Sequence, residues 1–181
     1  MIEEDIYQRL KDYIESECSL KECSKDDRNT QHVAYLTELE HTCINFDDVM
    51  KKYCKLEKLS GSLCSADSIF FKNQTLYIVE FKNQKSQDIK WNDISLKMHE
   101  SIFLLKELLP IEDCDLKGLE MIVVYKNNPT HQRKIDALRK NMSTRISNPD
   151  KIDRLNIFEN KYEVITKKLS EKDFRDKIVC V

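Results

Sequence analysis

Residues 67–82 constrain the fold more than any other stretch of the chain. They read as two extended arms, Asp67-Ser68-Ile69-Phe70-Phe71 and Leu76-Tyr77-Ile78-Val79-Glu80-Phe81-Lys82, around the polar tip Lys72-Asn73-Gln74-Thr75. Both arms are rich in β-branched and aromatic residues, which fit a pleated surface. With Asn73-Gln74 as a two-residue loop, Phe71 faces Leu76, Phe70 faces Tyr77, Ile69 faces Ile78, Ser68 faces Val79 and Asp67 faces Glu80. Side chains alternate along a strand. Ile69, Phe71, Leu76 and Ile78 therefore share the acids' face, while Phe70, Tyr77, Val79 and Phe81 occupy the other. Apolar on both faces, the hairpin belongs in a sheet covered on two sides.

In that setting the acids are out of place. Opposed residues have Cβ atoms roughly 4.5 to 5.5 Å apart, and two carboxylates that close repel by about 3 kcal/mol at an effective dielectric near 20. A divalent cation removes the repulsion, and Lys82, two residues beyond Glu80 on the same strand face, brings an ammonium to the same spot. The plain alternative is a surface salt bridge among an Asp, a Glu and a Lys, worth about 0 to 1 kcal/mol. The apolar arms argue for buried charge, and clustered buried ionisable groups mark functional sites more often than structural networks.

Around the hairpin the pattern is helical, then extended. Ile2, Ile6, Leu10 and Ile14 mark a first amphipathic helix, followed by a polar loop from Ser19 to Asn29. A helical stretch is expected within residues 32–43, with Val33, Leu36 and Cys43 on one stripe and Glu40 turned inward among them; if this segment is a strand, Glu38 takes that place. Residues 45–54 read as a further helix with Phe46, Val49, Met50 and Tyr53 inward. Ser86 to Leu109 carries Ile94, Met98, Ile102, Leu105 and Leu109 at helical steps until Pro110 ends it. The apolar run 119–125 is a buried, parallel strand reached by a crossover. Asn128-Pro129 opens another helix, with Ile135, Leu138 and Met142 inward. Residues 155–158 and 162–165 read as edge strands, and Ser170 with Asp173 caps a short final helix. The whole is an α/β chain of one domain, 1–181, with a central mixed sheet built on the hairpin (about 62–82) and strand 119–125 and flanked by helices.

Asp67, a hairpin turn and then Glu80-Phe81-Lys82 resemble the signature of the PD-(D/E)XK nuclease superfamily, and the α, β-hairpin, α, β, α order over about residues 30–126 is similar to its restriction-endonuclease-like core. Ala66 stands where the family name has proline, a position that carries no chemistry. The resemblance implies a metal-dependent nuclease hydrolysing phosphodiester bonds, with DNA favoured over RNA. It implies Mg²⁺ or Mn²⁺ held by Asp67, Glu80 and the main-chain carbonyl of Phe81, with Lys82 orienting the attacking water or stabilising charge. Related enzymes often place a further metal-binding carboxylate on a helix before the hairpin, here Glu40, and a Lys or Gln on the helix after it. Lys97, on a stripe with Ile94, Ser101 and Leu104, fits the latter. Cutting two strands with one site each implies a homodimer or larger complex. A catalytically inactive nuclease-like module that binds nucleic acid or a partner protein, of the immunity or inhibitor type, stays open beside it.

The net charge of −2 recommends nucleic-acid binding weakly, but the charge is uneven. Residues 1–50 hold 13 acids and 5 Lys or Arg, whereas 126–154 hold 8 Lys or Arg and 3 acids. Arg133, Lys134, Arg139 and Lys140 are thus the candidates for tracking a phosphate backbone, against the ordinary reading of a solvated helix face. Seven cysteines without CxxC spacing read as reduced thiols. The gaps among His41, Cys43, Cys54 and Cys64 match no zinc finger or ribbon. Apolar runs fall far short of a membrane span and the acidic N-terminus is unlike a signal peptide, so a cytoplasmic protein is expected.

Overall fold

A computed structural model describes residues 2–26, 34–60, 63–126 and 161–181. It is an α/β fold built on a six-stranded mixed sheet. The strands are β1 (Cys18–Ser19), β4 (Thr42–Asn45), β5 (Ser68–Lys72), β6 (Thr75–Lys82), β7 (Glu120–Tyr125) and β8 (Ile165–Ser170), neighbours in that order. The pairs from β1 to β6 are antiparallel, and β7 and β8 continue parallel to β6. A separate two-stranded ribbon pairs β2 (Lys25–Asp26) with β3 (Ala34–Tyr35). Among the described residues no helix is long and apolar enough to cross a membrane.

The hairpin forms in the expected register, from Lys72↔Thr75 through Phe70↔Tyr77 to Ser68↔Val79. Its tip turns on Asn73 and Gln74, both at positive φ (47° and 64°), the signature of a type I′ loop whose twist matches that of the strands. The alternation of the arms sorts the two cores. Ile69, Leu76 and Ile78, joined by Met121 and Val123 of β7, pack on one face. Phe70, Tyr77, Val79 and Phe81, joined by Ile122 and Val124, pack on the other.

On the first face lie α1 (Ile2–Ile14), α3 (Phe46–Leu56) and α4 (Trp91–Leu108), which bury Ile6 and Leu10, Phe46 and Val49, and Ile94, Met98 and Ile102 respectively. Helix α3 starts at Asn45, whose side chain accepts the Asp48 N–H at 3.2 Å, satisfying one of the orphan amides of the first turn. The opposite face is closed by Phe174 and Ile178. Phe174 ends α5 (Glu171–Phe174), which Ser170 caps by accepting the Asp173 N–H as its sequence indicates, and Ile178 follows in a π-helical turn (Arg175–Val179).

Two upstream expectations fail. Residues 34–45 are not helical: Thr42-Cys43-Ile44-Asn45 is a strand, because Cys43 and Ile44 must each bury on an opposite face between β1 and β5. The polar loop expected from Ser19 instead contains a capped turn, α2 (Leu20–Cys23), in which Ser19 and Glu22 form a reciprocal capping box. The helix after the hairpin begins at Trp91, with only a 3₁₀ turn over Ser86–Asp88 before it. Leu155 to Phe158 and the helix expected from Asn128 lie outside the described residues.

The turn supplies a direct check. Gln74 carries a side chain in a conformation that glycine adopts without penalty, so Gln74→Gly raises stability by about 0.5 to 1 kcal/mol. The urea midpoint reads the change, and a fall in that midpoint contradicts the turn geometry.

Candidate active site

The site forms where β5 and β6 part, beneath α4. The ladder stops at Ser68↔Val79, one pair short of the acids. There the Asp67 N–H donates to the Val79 carbonyl at 3.0 Å, and the Asp67 carboxylate accepts the Phe81 N–H. The acids meet through side chains rather than as a backbone pair. Glu80 is fully buried and the Asp67 side chain is 18 % exposed. Lys97 reaches down from α4 between them, its Nζ 3.0 Å from Glu80 Oε2 and 3.5 Å from Asp67 Oδ1. Lys82 contacts Glu80 Oε1 from the same strand.

One face of α4 builds this arrangement. Residues 97, 100 and 101 are neighbours on a helix surface. Beyond Lys97, Ser101 accepts the Ala66 N–H at 2.9 Å and donates to the Lys97 carbonyl at 2.8 Å, while Glu100 accepts the Cys64 N–H. The arm that delivers Asp67 is thus fixed by side chains of the helix that delivers Lys97.

The electrostatics follow from burial. Removal from water, and then the neighbouring Glu80, push the Asp67 carboxyl up to about 8, against the pull of Lys97 and the Phe81 amide. For Lys97, desolvation works against the charge, but the attraction of Asp67 and Glu80 outweighs it and holds the ammonium above the usual lysine range. Glu80 Oε1 is in charge contact with both ammoniums, 2.9 Å from Lys97 Nζ and against Lys82 Nζ. A buried carboxylate beside a second, partly exposed one offers the oxygen donors that a hard divalent cation takes, in place of those ammoniums.

A cleft of about 350 Å³ opens beside Asp67, Phe81 and Lys82. Lys25, Lys82 and Lys90 line it against Asp26, Asp67, Asp88 and Asp93, three cationic side chains against four acidic ones. While Asp67 holds its proton, up to about pH 8, the two sets balance.

Asp67, Glu80, the Phe81 main chain, Lys82 and Lys97 therefore come together. Glu40 does not: it is 70 % exposed and pairs with Lys21 at 3.7 Å, and Glu38, the alternative, is 74 % exposed on the same lysine at 2.7 Å. With residues 36–41 in a loop and no helix there, neither acid is aimed at the sheet. Arg133, Lys134, Arg139 and Lys140 lie outside the described residues. The acid that a helix does bring near is Asp47, in the first turn of α3, which accepts from Ser65 Oγ and acts electrostatically on both Asp67 and Lys97. It stands outside the reach of an ion shared with the other two. Its sequence signal was its place one and two turns below Met50 and Cys54, on the inner side of a helix. Of the thiols, Cys54 is half-buried in α3 and Cys64 exposed, so they do not gather with Cys43 around a metal.

No protein-family model matches the chain, and no curated protein or solved structure matches it.

The raised Asp67 carboxyl makes the metal-free protein pH-sensitive. The folded state holds this proton up to about pH 8, whereas the unfolded chain releases it near pH 4. Between those values the native state binds more protons, so its stability falls as pH rises, then levels off above pH 8. Asp67→Asn removes that term. It stabilises the metal-free protein by on the order of 2 kcal/mol at pH 8 and by little at pH 4. Urea titrations across that range check it, and equal effects at both ends contradict the burial of the charge.

Proposed function

We propose that the chain is a divalent-metal-dependent nuclease with a restriction-endonuclease-like core, hydrolysing phosphodiester bonds of nucleic acid, DNA before RNA. The observation that carries this reading is the fully buried Glu80 carboxylate, paired with Lys82 and Lys97, beside a second acid, Asp67, that lines a cleft together with Lys82. A structural ion pair has no use for the second acid, whose burial costs stability. Asp67, Glu80 and the Phe81 carbonyl would hold Mg²⁺ or Mn²⁺. When bound, the ion supplies Lewis-acid activation of the phosphate and of a water.

The two lysines divide the remaining work. Lys82 lines the cleft, so its ammonium meets the phosphate and steadies charge in the in-line transition state. Lys97, behind the acids and bonded to Glu80, is a positioning residue: it holds the two carboxyl groups convergent when no metal is present. Asp47 adds negative potential that favours a cation over an anion in the pocket.

A second reading has one observation in its favour. Two carboxylates and two ammoniums balance in charge, as in a nuclease-like module that binds nucleic acid or a partner without cutting. Cleavage separates the two readings. Supercoiled plasmid, single-stranded DNA and RNA are each incubated with the protein with and without Mn²⁺, beside Asp67→Ala, Glu80→Gln and Lys82→Ala. Glutamine keeps the volume at the buried position, and circular dichroism verifies that each variant folds. Cutting that requires Mn²⁺ and falls about 100-fold or more in each variant is the expected result. Binding without cutting supports the module, and cutting untouched by the substitutions rules out this site.

A further inference from the structure

Three thiols converge at the sheet edge, away from the carboxylate pair. Cys18 in β1 and Cys43 in β4 are directly opposed in the antiparallel ladder, and Cys23 closes the capped turn α2 that follows β1. Their sulfurs stand 3.2 Å (Cys18–Cys23), 3.6 Å (Cys23–Cys43) and 3.7 Å (Cys18–Cys43) apart. Cys43 is buried and the other two are half-buried. A disulfide requires about 2.05 Å, so these are reduced thiols. Four sulfurs each about 2.3 Å from a zinc ion lie roughly 3.8 Å apart along the tetrahedron's edges, a spacing the trio reaches with shifts of about half an ångström.

The ordinary explanation is packing, because free cysteine behaves as a small buried hydrophobe. Packing explains Cys43, which belongs to the second core. Cys18 and Cys23 also pack against that core, but packing alone does not require all three sulfurs to lie within 3.7 Å of one another. Residues 18–26, two two-residue strands and one turn with Leu20 as the single buried apolar side chain, are held by main-chain bonds such as Leu20 N–H to the His41 carbonyl at 3.0 Å and Lys21 N–H to the Leu39 carbonyl at 2.9 Å. An ion on the three sulfurs adds a crosslink to those bonds.

We propose that Cys18, Cys23 and Cys43 bind one borderline-soft divalent ion of the Zn²⁺ class as thiolates, fastening residues 18–26 to the edge of the sheet. Each thiol gives its proton to solvent as its sulfur takes up the ion, and no oxidant is involved. Nearby acids are engaged elsewhere, Glu22 with the Ser19 N–H at 2.8 Å and Asp48 with Lys51 at 2.9 Å. The fourth position falls to water. The consequence reaches the cleft, because Cys23, Ser24, Lys25 and Asp26 form one of its walls. Soft sulfur ligands on this side and hard oxygen ligands on the other select different metals, so the thiolate site stands or falls independently of nucleic-acid cleavage.

The test uses Co²⁺ alone, added to the full-length, metal-free, reduced chain. One equivalent produces the thiolate-to-cobalt charge-transfer band and the intense visible bands of a tetrahedral ion, and Zn²⁺ bleaches them. Cys18→Ser and Cys23→Ser weaken Co²⁺ binding at least about tenfold, whereas Cys114→Ser, Cys180→Ser and Asp67→Asn leave the spectrum unchanged. Because Co²⁺ bound to carboxylates alone shows no sulfur charge transfer, the signal identifies the ligands. A wild-type chain without that band overturns the proposal whatever the variants do. So does a band that survives both serine substitutions, or a Cys18–Cys23 disulfide in protein purified anaerobically.

Discussion

Everything around the cleft depends on a carboxylate held in the middle of a sheet. Glu80 is fully buried in β6, on the face that packs against α4, where Ile78 beside it and Val123 opposite it are apolar. An ion in that setting loses several kcal/mol of hydration and survives only with close partners. Lys82 supplies one from the same strand and Lys97 another from the crossover helix. Because one partner arrives on α4, that helix cannot slide or rotate against the sheet without taking Lys97 away from Glu80 and Asp67. The site and the packing of the fold are one constraint.

Asp67 turns that constraint into a poised site. Two ammoniums already compensate Glu80, so the second acid adds repulsion without completing an ion pair, and burial pushes its carboxyl up to about 8. On the proposed reading, a cation recovers the stability given up there, and perturbed, clustered charge of this kind is found at functional sites. The cleft repeats the pattern on a larger scale, with lysines and aspartates nearly balanced.

The hairpin was legible because a strand has a strict period of two: once Asn73-Gln74 was placed in the turn, both faces and every pair as far as Ser68↔Val79 followed, while Asp67 and Glu80 meet through side chains and not as the expected ladder pair. Helical spacing put Lys97 on a stripe with Ile94, Ser101 and Leu104, and the family resemblance, which implies a Lys or Gln on that helix, singled it out. The failures share a physical cause. Residues 42–45 are extended because β1 and β5 pair with them from either side, and short elements of that kind carry little local signal against tertiary context. Misreading them as a helix moved the third acid to Glu40 and hid Asp47, whose helix starts at Asn45. The thiol trio was equally hidden. Spacings of 5 and 20 residues match no familiar motif, and Cys18 meets Cys43 through a ladder two residues long.

Anomalous diffraction from crystals soaked in Mn²⁺ tests the central claim most directly. The account predicts a peak within coordination distance of both the Asp67 and Glu80 carboxylates, with the Lys97 ammonium displaced from its bridge between them. An undisturbed bridge in Mn²⁺-soaked crystals, with no peak at the acids, would show that the cluster is a structural ion network and contradict the account.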